Sequence, residues 1–276
     1  YYLITEEVDG ISRDWPVLED PGNYGYYREE VGGLMVGLFE PVSAPWQVGS
    51  VPENFSFGEL EPDWERMTPY LESAMNRVPI SLDSGIKKFF CGPESFTPDL
   101  APIVGEAPEL KNYFVAAGLN SIGILSAGGL GRVVAHWLLN GTADVDVTGF
   151  NIDRFHGYQC NPDYRRDRAL ESLGTVYKCH FPTRSMGTAR GARRSALHDR
   201  LAAAGAYFTE VSAWESPDWF APAGEIAQVE KLSFGRMNWW PYWEAEHRAC
   251  REALRLQLLD EIMKTDISVP RQVARS

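Results

Sequence analysis

The chain lacks any apolar run near the roughly 18 residues that a membrane-crossing helix requires, so membrane insertion is not expected. It opens Tyr-Tyr-Leu-Ile-Thr-Glu, with no Met, basic segment or apolar leader, and it opens inside strand-like sequence. The expectation is a fragment that begins within a domain. Cysteine is scarce. Cys91, Cys160, Cys179 and Cys250 show no C-x-x-C spacing, which argues against a disulfide or zinc framework and for free thiols in a reducing compartment. The cytoplasm is therefore expected, or the mitochondrial matrix for a eukaryotic source. Without a leader, Asn54-Phe55-Ser56 and Asn140-Gly141-Thr142 are chance matches to the glycosylation pattern. Positive charge is also short: 26 Lys/Arg stand against 38 Asp/Glu, a net of −12, which disfavours a nucleic-acid partner. The sequence has no internal repeat and no low-complexity tract.

What is present is 276 residues with 44% hydrophobic and 12% aromatic content, enough for a sizeable core in one or two domains. Charge is uneven. Residues 1–150 carry 8 Lys/Arg against 22 Asp/Glu (net −14), and residues 151–200 carry 10 against 5 (net +5). The shift near residue 150 marks a candidate domain boundary. Docking onto the acidic first half explains the basic stretch Arg165–Arg200 better than nucleic-acid binding does.

Tyr1–Glu6, Tyr24–Glu29 and Leu34–Phe39 read as strands, the last two joined by a turn at Gly32-Gly33. Trp64–Met67 begins a helix, which Thr68-Pro69 restarts and Pro79 ends, with Leu71, Ala74, Met75 and Val78 on one face. Ile86–Cys91 is a short strand, and residues 93–110 form a proline-rich loop. Later elements are a helix around Pro162–Leu173, a helix Ala196–Ala204 capped by Ser195, a strand Ala206–Val211, and a helix from Tyr242 to about Met263 before a loose tail Ile267–Ser276.

The most informative segment is Tyr113–Gly131. Tyr113–Ala117 reads as a buried strand. Gly118 opens a turn, and a helix follows with Leu130, Val133, Val134, Trp137 and Leu138 at helical spacing, stopped by Asn140-Gly141. A strand feeding a glycine-bearing turn lets another molecule approach the backbone, and the free N–H groups of a new helix favour electron-rich groups. A plain strand-to-helix turn has the same composition. The spacing is not G-x-G-x-x-G, so this is not the pyrophosphate turn of a dinucleotide fold.

Other candidates reduce to packing or capping. Ser195, His198 and Asp199 lie within one helical turn and cannot form a nucleophilic relay. Cys179 and His180 point to opposite sides of an extended chain. His136 and the Trp clusters at 214–219 and 239–243 read as core. Tyr1 and Tyr2 should point to opposite faces of their strand.

Gly92-Pro93-Glu94-Ser95-Phe96-Thr97-Pro98-Asp99, Gly105–Leu110 and the Tyr113–Gly131 turn together resemble the sarcosine and dimethylglycine dehydrogenases, flavoproteins of the D-amino-acid-oxidase-like superfamily. Tyr177–Pro182, Thr188–Leu201 and Trp214–Phe220 resemble that family's central domain, and Trp243-Glu244-Ala245-Glu246-His247 resembles the start of its folate-binding domain. Gly92–Asp99 and Gly118–Ile124 are closer to the sarcosine type. The resemblance covers about residues 1–255; Leu254–Ser276 departs from it, and the dinucleotide-binding half would precede residue 1.

The resemblance implies an α+β fold. Residues 1–150 would be part of the oxidoreductase domain (antiparallel sheet plus strand–turn–helix), 151–240 a small α+β central domain, and 241–276 the truncated or divergent start of the folate domain. It implies FAD as cofactor, tetrahydrofolate in the full-length protein, an N-methylated amino acid as substrate and an electron-acceptor flavoprotein as partner. It places Gly118, Leu119, Asn120, Ser121, Ile122, Gly123 and Ile124 against the flavin and Tyr2 near the substrate carboxylate. Asp99 and Glu94 receive no catalytic role. The same motifs occur in a non-catalytic relative, the regulatory subunit of pyruvate dehydrogenase phosphatase, which is the alternative reading.

Overall fold

The computed structural model describes residues 1–254. The end of the helix expected to reach Met263, the tail Ile267–Ser276 and nearly all of the divergent stretch Leu254–Ser276 lie outside the described residues. The chain forms two compact units, one of Tyr1–His180 with Met186–Ala189, the other of Phe181–Ser185 with the residues from Arg190 onward. The architecture is α+β, with antiparallel strand pairing throughout the named strands.

The first unit is built on a five-stranded sheet from β1 (Tyr2–Thr5), β2 (Leu18–Asp20), β3 (Gly25–Glu30), β4 (Gly33–Leu38) and β5 (Ile86–Phe90), in the order β2-β3-β4-β1-β5. Strand alternation sorts its side chains into two faces. Leu3, Tyr27, Leu34, Val36 and Leu38 form the core with Met67 and Ala74 of α1 (Trp64–Arg77). The opposite face carries an aromatic row, because the register aligns Tyr26 with Gly37, Gly37 with Tyr2 and Tyr2 with Phe90. Gly37 is required there: a Cβ would stand 2.1 Å from the Tyr26 ring, which lies across that position.

A second ladder pairs β6 (Ile103–Glu106) with β7 (Phe114–Ala117), and β7 leads into α2 (Gly123–Asn140). Gly141 ends α2 in the left-handed conformation, φ 78°, and its N–H donates to the Trp137 carbonyl. The unit closes with α3 (Pro162–Tyr177), capped by Asn161, whose side chain accepts from the N–H groups of Asp163 and Tyr164. Gly174 lets α3 approach residue 41: a Cβ there would meet the Pro41 carbonyl oxygen at 2.4 Å.

The second unit holds α4 (His198–Ala203), a hairpin of β8 (Ala206–Val211) with β9 (Trp214–Phe220), and α5 (Trp240–Ala249). Trp219 is buried between Tyr207 and Tyr242, ring centroids 5.5 Å from each. Arg190 clasps the Glu215 carboxylate through Nε at 2.9 Å, and the guanidinium holds that carboxyl below its usual range.

Several expectations need correction. The helix does not restart at Thr68-Pro69. Asp63 caps one continuous helix, and Pro69 lies inside it at the loss of one i→i−4 hydrogen bond. The β3–β4 turn sits at Val31-Gly32, both at positive φ, with Gly33 already in the strand. The loop 93–110 contains β6, and the Trp214–Phe220 cluster is strand β9; prolines masked both from composition. Strand β7 is not buried: Phe114 and Val115 are half-exposed and Ala116 and Ala117 exposed. Ser195 does not cap α4, whose first position follows Leu197; its hydroxyl accepts from the Leu197 N–H instead. Helix α3 runs four residues past Leu173.

Met67 is fully buried in the core cluster, so Met67→Ala should cost about 2–5 kcal/mol. Gly174→Ala, pressed against backbone, should cost about 1–3 kcal/mol. Urea denaturation of each variant measures both, with the midpoint falling and the slope unchanged.

Candidate cofactor and ligand site

The turn between β7 and α2 has backbone geometry that an unsupported peptide would not hold. Gly118, Asn120 and Ser121 take φ of 62°, 49° and 68°, all in the left-handed region. Such conformations cost about 1–3 kcal/mol each at non-glycine residues and persist only where surroundings enforce them. Asn120 supplies the enforcement. It is 2% exposed; its Oδ1 accepts from the Thr97 N–H at 2.8 Å and the Thr97 hydroxyl at 3.2 Å, and its Nδ2 donates to the Gly118 carbonyl at 2.8 Å. Gly118 sits so close to Thr97 that a Cβ would meet Thr97 Cγ2 at 2.6 Å.

The Thr97 loop is itself anchored. Asp99 takes Arg154 in a two-pronged pair, Nε to Oδ2 at 2.6 Å and Nη2 to Oδ1 at 3.0 Å, and accepts from the Ala101 N–H. Asp99 thus shapes the loop.

The turn delivers the chain into α2 with its first amides unclaimed by side chains. Ile122 occupies the capping position and offers none, and Ser126 makes the first return bond to the Ile122 carbonyl. Beyond this start the helix is apolar yet uncovered: Ile124 is fully exposed, Leu125 is 80% exposed, and no residue of α2 is buried. Free N–H donors beside an exposed apolar surface suit a flat, largely apolar ring system with an electron-rich edge. The donor set therefore fits a flavin. Gly123 marks the turn less than Gly118 does. It is not at positive φ, and a Cβ there would meet the flexible Leu119 side chain at 3.2 Å.

Tyr2 lies on the aromatic face, stacked on Phe90 with centroids 5.3 Å apart and edge-on to Tyr26 at 6.1 Å. Tyr1 turns the other way, against Phe89 and the core, as strand alternation requires. Tyr2 reaches the turn only through other rings. Tyr26 stacks on Phe39, Phe39 on Tyr177 at 3.4 Å, and the Tyr177 hydroxyl donates to the Ser121 hydroxyl. Burial pushes the Tyr177 phenol up to about 12, against the opposing hydrogen bond to Ser121. Burial and a hydrogen bond with Tyr2 raise Tyr26 as well. Both remain neutral donors across the physiological range. Sequence reasoning missed Tyr26, Phe39 and Tyr177; the signal that could have found them is Gly37, a glycine within a strand.

Beside this face opens a cleft of about 560 Å³. Tyr2, Phe39, Trp46 and Phe55 give it apolar walls, and Glu40, Glu94 and Arg165 give it charge. Glu40 is 5% exposed; burial pushes its carboxyl up, and its nearest cation is Arg66 Nη1 at 3.7 Å. Among the described residues no cluster of His, Cys, Asp and Glu could hold a metal, and no helix is long and apolar enough to cross a membrane.

Comparison with known proteins adds the following. The family described as FAD dependent oxidoreductase matches residues 1–137, and that described as FAD dependent oxidoreductase central domain matches residues 140–195. A 4-methylaminobutanoate oxidase (formaldehyde-forming) of Paenarthrobacter nicotinovorans is 40% identical over 269 residues, 98% of this chain and 32% of the relative. The mitochondrial sarcosine dehydrogenase of Homo sapiens is 39% identical over 235 residues, 85% of this chain and 25% of the relative. The mitochondrial pyruvate dehydrogenase phosphatase regulatory subunit of Mus musculus is 31% identical over 272 residues, 97% and 31%. The chain spans a third or less of these relatives' length.

Asn120→Ala should leave the buried Thr97 N–H without its acceptor and cost about 1–3 kcal/mol. Amide exchange at Thr97 should accelerate with the loss, which separates this effect from a distant one. Tyr177 gives a second expectation. A phenol raised in the folded state stabilises fully below the unfolded value near 10 and loses that contribution as pH climbs toward about 12. Unfolding free energy should fall over that interval, and Tyr177→Phe should flatten the fall.

Proposed function

Since the chain belongs to the FAD dependent oxidoreductase family, we propose that it forms the amine-side half of a flavin site that oxidatively demethylates a small N-methylated amino acid. The observation that carries this is the clamped turn at 118–121 leading into the uncapped start of α2, joined through Tyr177 and Phe39 to an aromatic, ligand-sized cleft. When bound, FAD supplies the two-electron acceptor for a hydride leaving the N-methyl carbon.

The chain's own residues then have distinct roles. Gly118, Leu119, Asn120, Ser121, Ile122, Gly123 and Ile124 hold the ring, and the amides opening α2 stabilise negative charge on its polar edge. Ile124 and Leu125 exclude water from that surface. Tyr2, with its hydroxyl beside Tyr26, orients the substrate, and the neutral Tyr26 and Tyr177 phenols donate without adding charge. Residues 1–150 serve as the oxidoreductase part, 151–240 as the central domain, and 241–276 lead toward a tetrahydrofolate-binding domain that would take the one-carbon product. An electron-transfer flavoprotein would reoxidise the cofactor. The protein would act in the cytoplasm, or in the mitochondrial matrix of a eukaryote.

Its similarity to the phosphatase regulatory subunit supports a second reading, a flavin-fold partner without turnover. The full gene product separates the two. It should copurify with a flavin absorbance band that bleaches anaerobically on addition of sarcosine, dimethylglycine or 4-methylaminobutanoate. A flavin that none of these reduces favours the regulatory reading. Ile124→Asp should lower flavin content several-fold without lowering the unfolding midpoint, since this side chain is fully exposed.

A further inference from the structure

Many charged side chains of the first unit are committed to partners. Asp99 holds Arg154, Asp163 holds Arg166 at 2.7 Å, Glu171 accepts from the N–H groups of Gly187 and Thr188, and Arg66 lies between Asp63 and Glu40. Arg165 is different. Its Nε is sealed from solvent and has no hydrogen-bond partner, and it has no ion pair with any described acid.

A guanidinium is charged at every accessible pH, so it cannot escape burial by losing a proton. Leaving such a donor unsatisfied costs more than leaving a neutral one. Its position explains why no protein group answers it. Arg165, Ala169 and Leu173 follow at i, i+4 and i+8, so one stripe of α3 lines the cleft, with Arg165 at its Asn161-capped start. The positive end of the helix adds to the charge there.

We propose that Arg165 is the carboxylate-binding residue of this cleft, taking the carboxylate of a small zwitterionic amine whose carbon chain lies along the apolar wall. Opposing charge selects this class. Glu40 and Glu94 line the same cleft, so a dianion such as phosphate would be repelled while a cationic nitrogen is accommodated. The planar fork of arginine matches a carboxylate with two parallel hydrogen bonds. A cleft of about 560 Å³ suits a short amino acid. The assignment rests on the proposed amine oxidation, and it makes Arg165 the discriminator between amino-acid and simple amine substrates.

The test uses the full gene product with its flavin and the variants Arg165→Met and Arg165→Lys. For sarcosine, dimethylglycine and 4-methylaminobutanoate, Arg165→Met should raise KM ten- to a hundredfold, with flavin content and unfolding midpoint unchanged. Arg165→Lys should fall between Met and the parent, because it keeps the charge and loses the fork. A KM within twofold of the parent in Arg165→Met overturns the assignment. Binding of acetate and butyrate, followed by chemical-shift titration, supplies a readout independent of turnover. If the parent oxidises none of the three amines, the proposed reaction fails alone. Arg165 is then upheld by carboxylate binding that Arg165→Met abolishes, and overturned if the parent binds neither acid or the variant binds both equally.

Discussion

One buried amide side chain holds the turn in place. Asn120 spends both its acceptor and a donor on backbone, joining the loop at Thr97 to the carbonyl of Gly118. Without that clamp, two non-glycine residues in succession would have no reason to remain left-handed. With it, the chain leaves β7, turns within a few residues and begins α2 with no side-chain cap on its first amides. Asparagine suits the task because it tolerates the left-handed region and carries donor and acceptor on one short arm. Arg154 extends the constraint one step further by fixing Asp99, which fixes the loop that Asn120 grips.

The aromatic face depends on a complementary constraint, the missing side chain at Gly37. Because nothing projects from that position, the Tyr26 ring crosses β4 and meets Phe39, which meets Tyr177. Tyr177 closes the circuit onto Ser121. The sheet and the turn, about 80 residues apart in sequence, are thus coupled by ring packing and one hydroxyl pair. Burial raises the phenols and keeps them neutral, so this surface can face an electron-rich ligand without the desolvation cost of fixed charges.

How much of this was legible in sequence varies with the physics. Period-two alternation placed β1, β3 and β4, and helical spacing placed α1 and α2, because both patterns are local consequences of burial. The turn at 118–124 was visible from its glycines, but its clamp was not: Asn120 and Thr97 are 23 residues apart, and no spacing rule connects them. Gly123 is an ordinary helical residue, while Gly118 carries the positive φ. Strands β6 and β9 escaped because each breaks a strand rule. Gly105 in β6 sits at φ 118°, and β9 contains Pro217 beside a register shift. Tyr2 was placed by resemblance, and its neighbours Tyr26 and Phe90 became evident only from register.

The charge asymmetry along the chain has a local resolution in the fold. A block of net −14 beside a block of net +5 invites the idea of two surfaces seeking each other. Arg166 finds its acid three residues away, Arg190 finds Glu215 across its own hairpin unit, and Arg193 lies 3.9 Å over the Trp214 ring. Arg154 and Asp99 pair within the first unit. An exposed pair such as Arg166–Asp163 contributes little stability, so such pairs cannot be the reason for the charge pattern as a whole. Their value is that they quiet the background. Where most guanidinium groups have a nearby carboxylate or ring, Arg165, with its Nε sealed and with neither partner, stands out at the edge of a ligand-sized cleft. Block charge is a property of sequence averages, whereas recognition depends on the few groups that folding leaves unmatched.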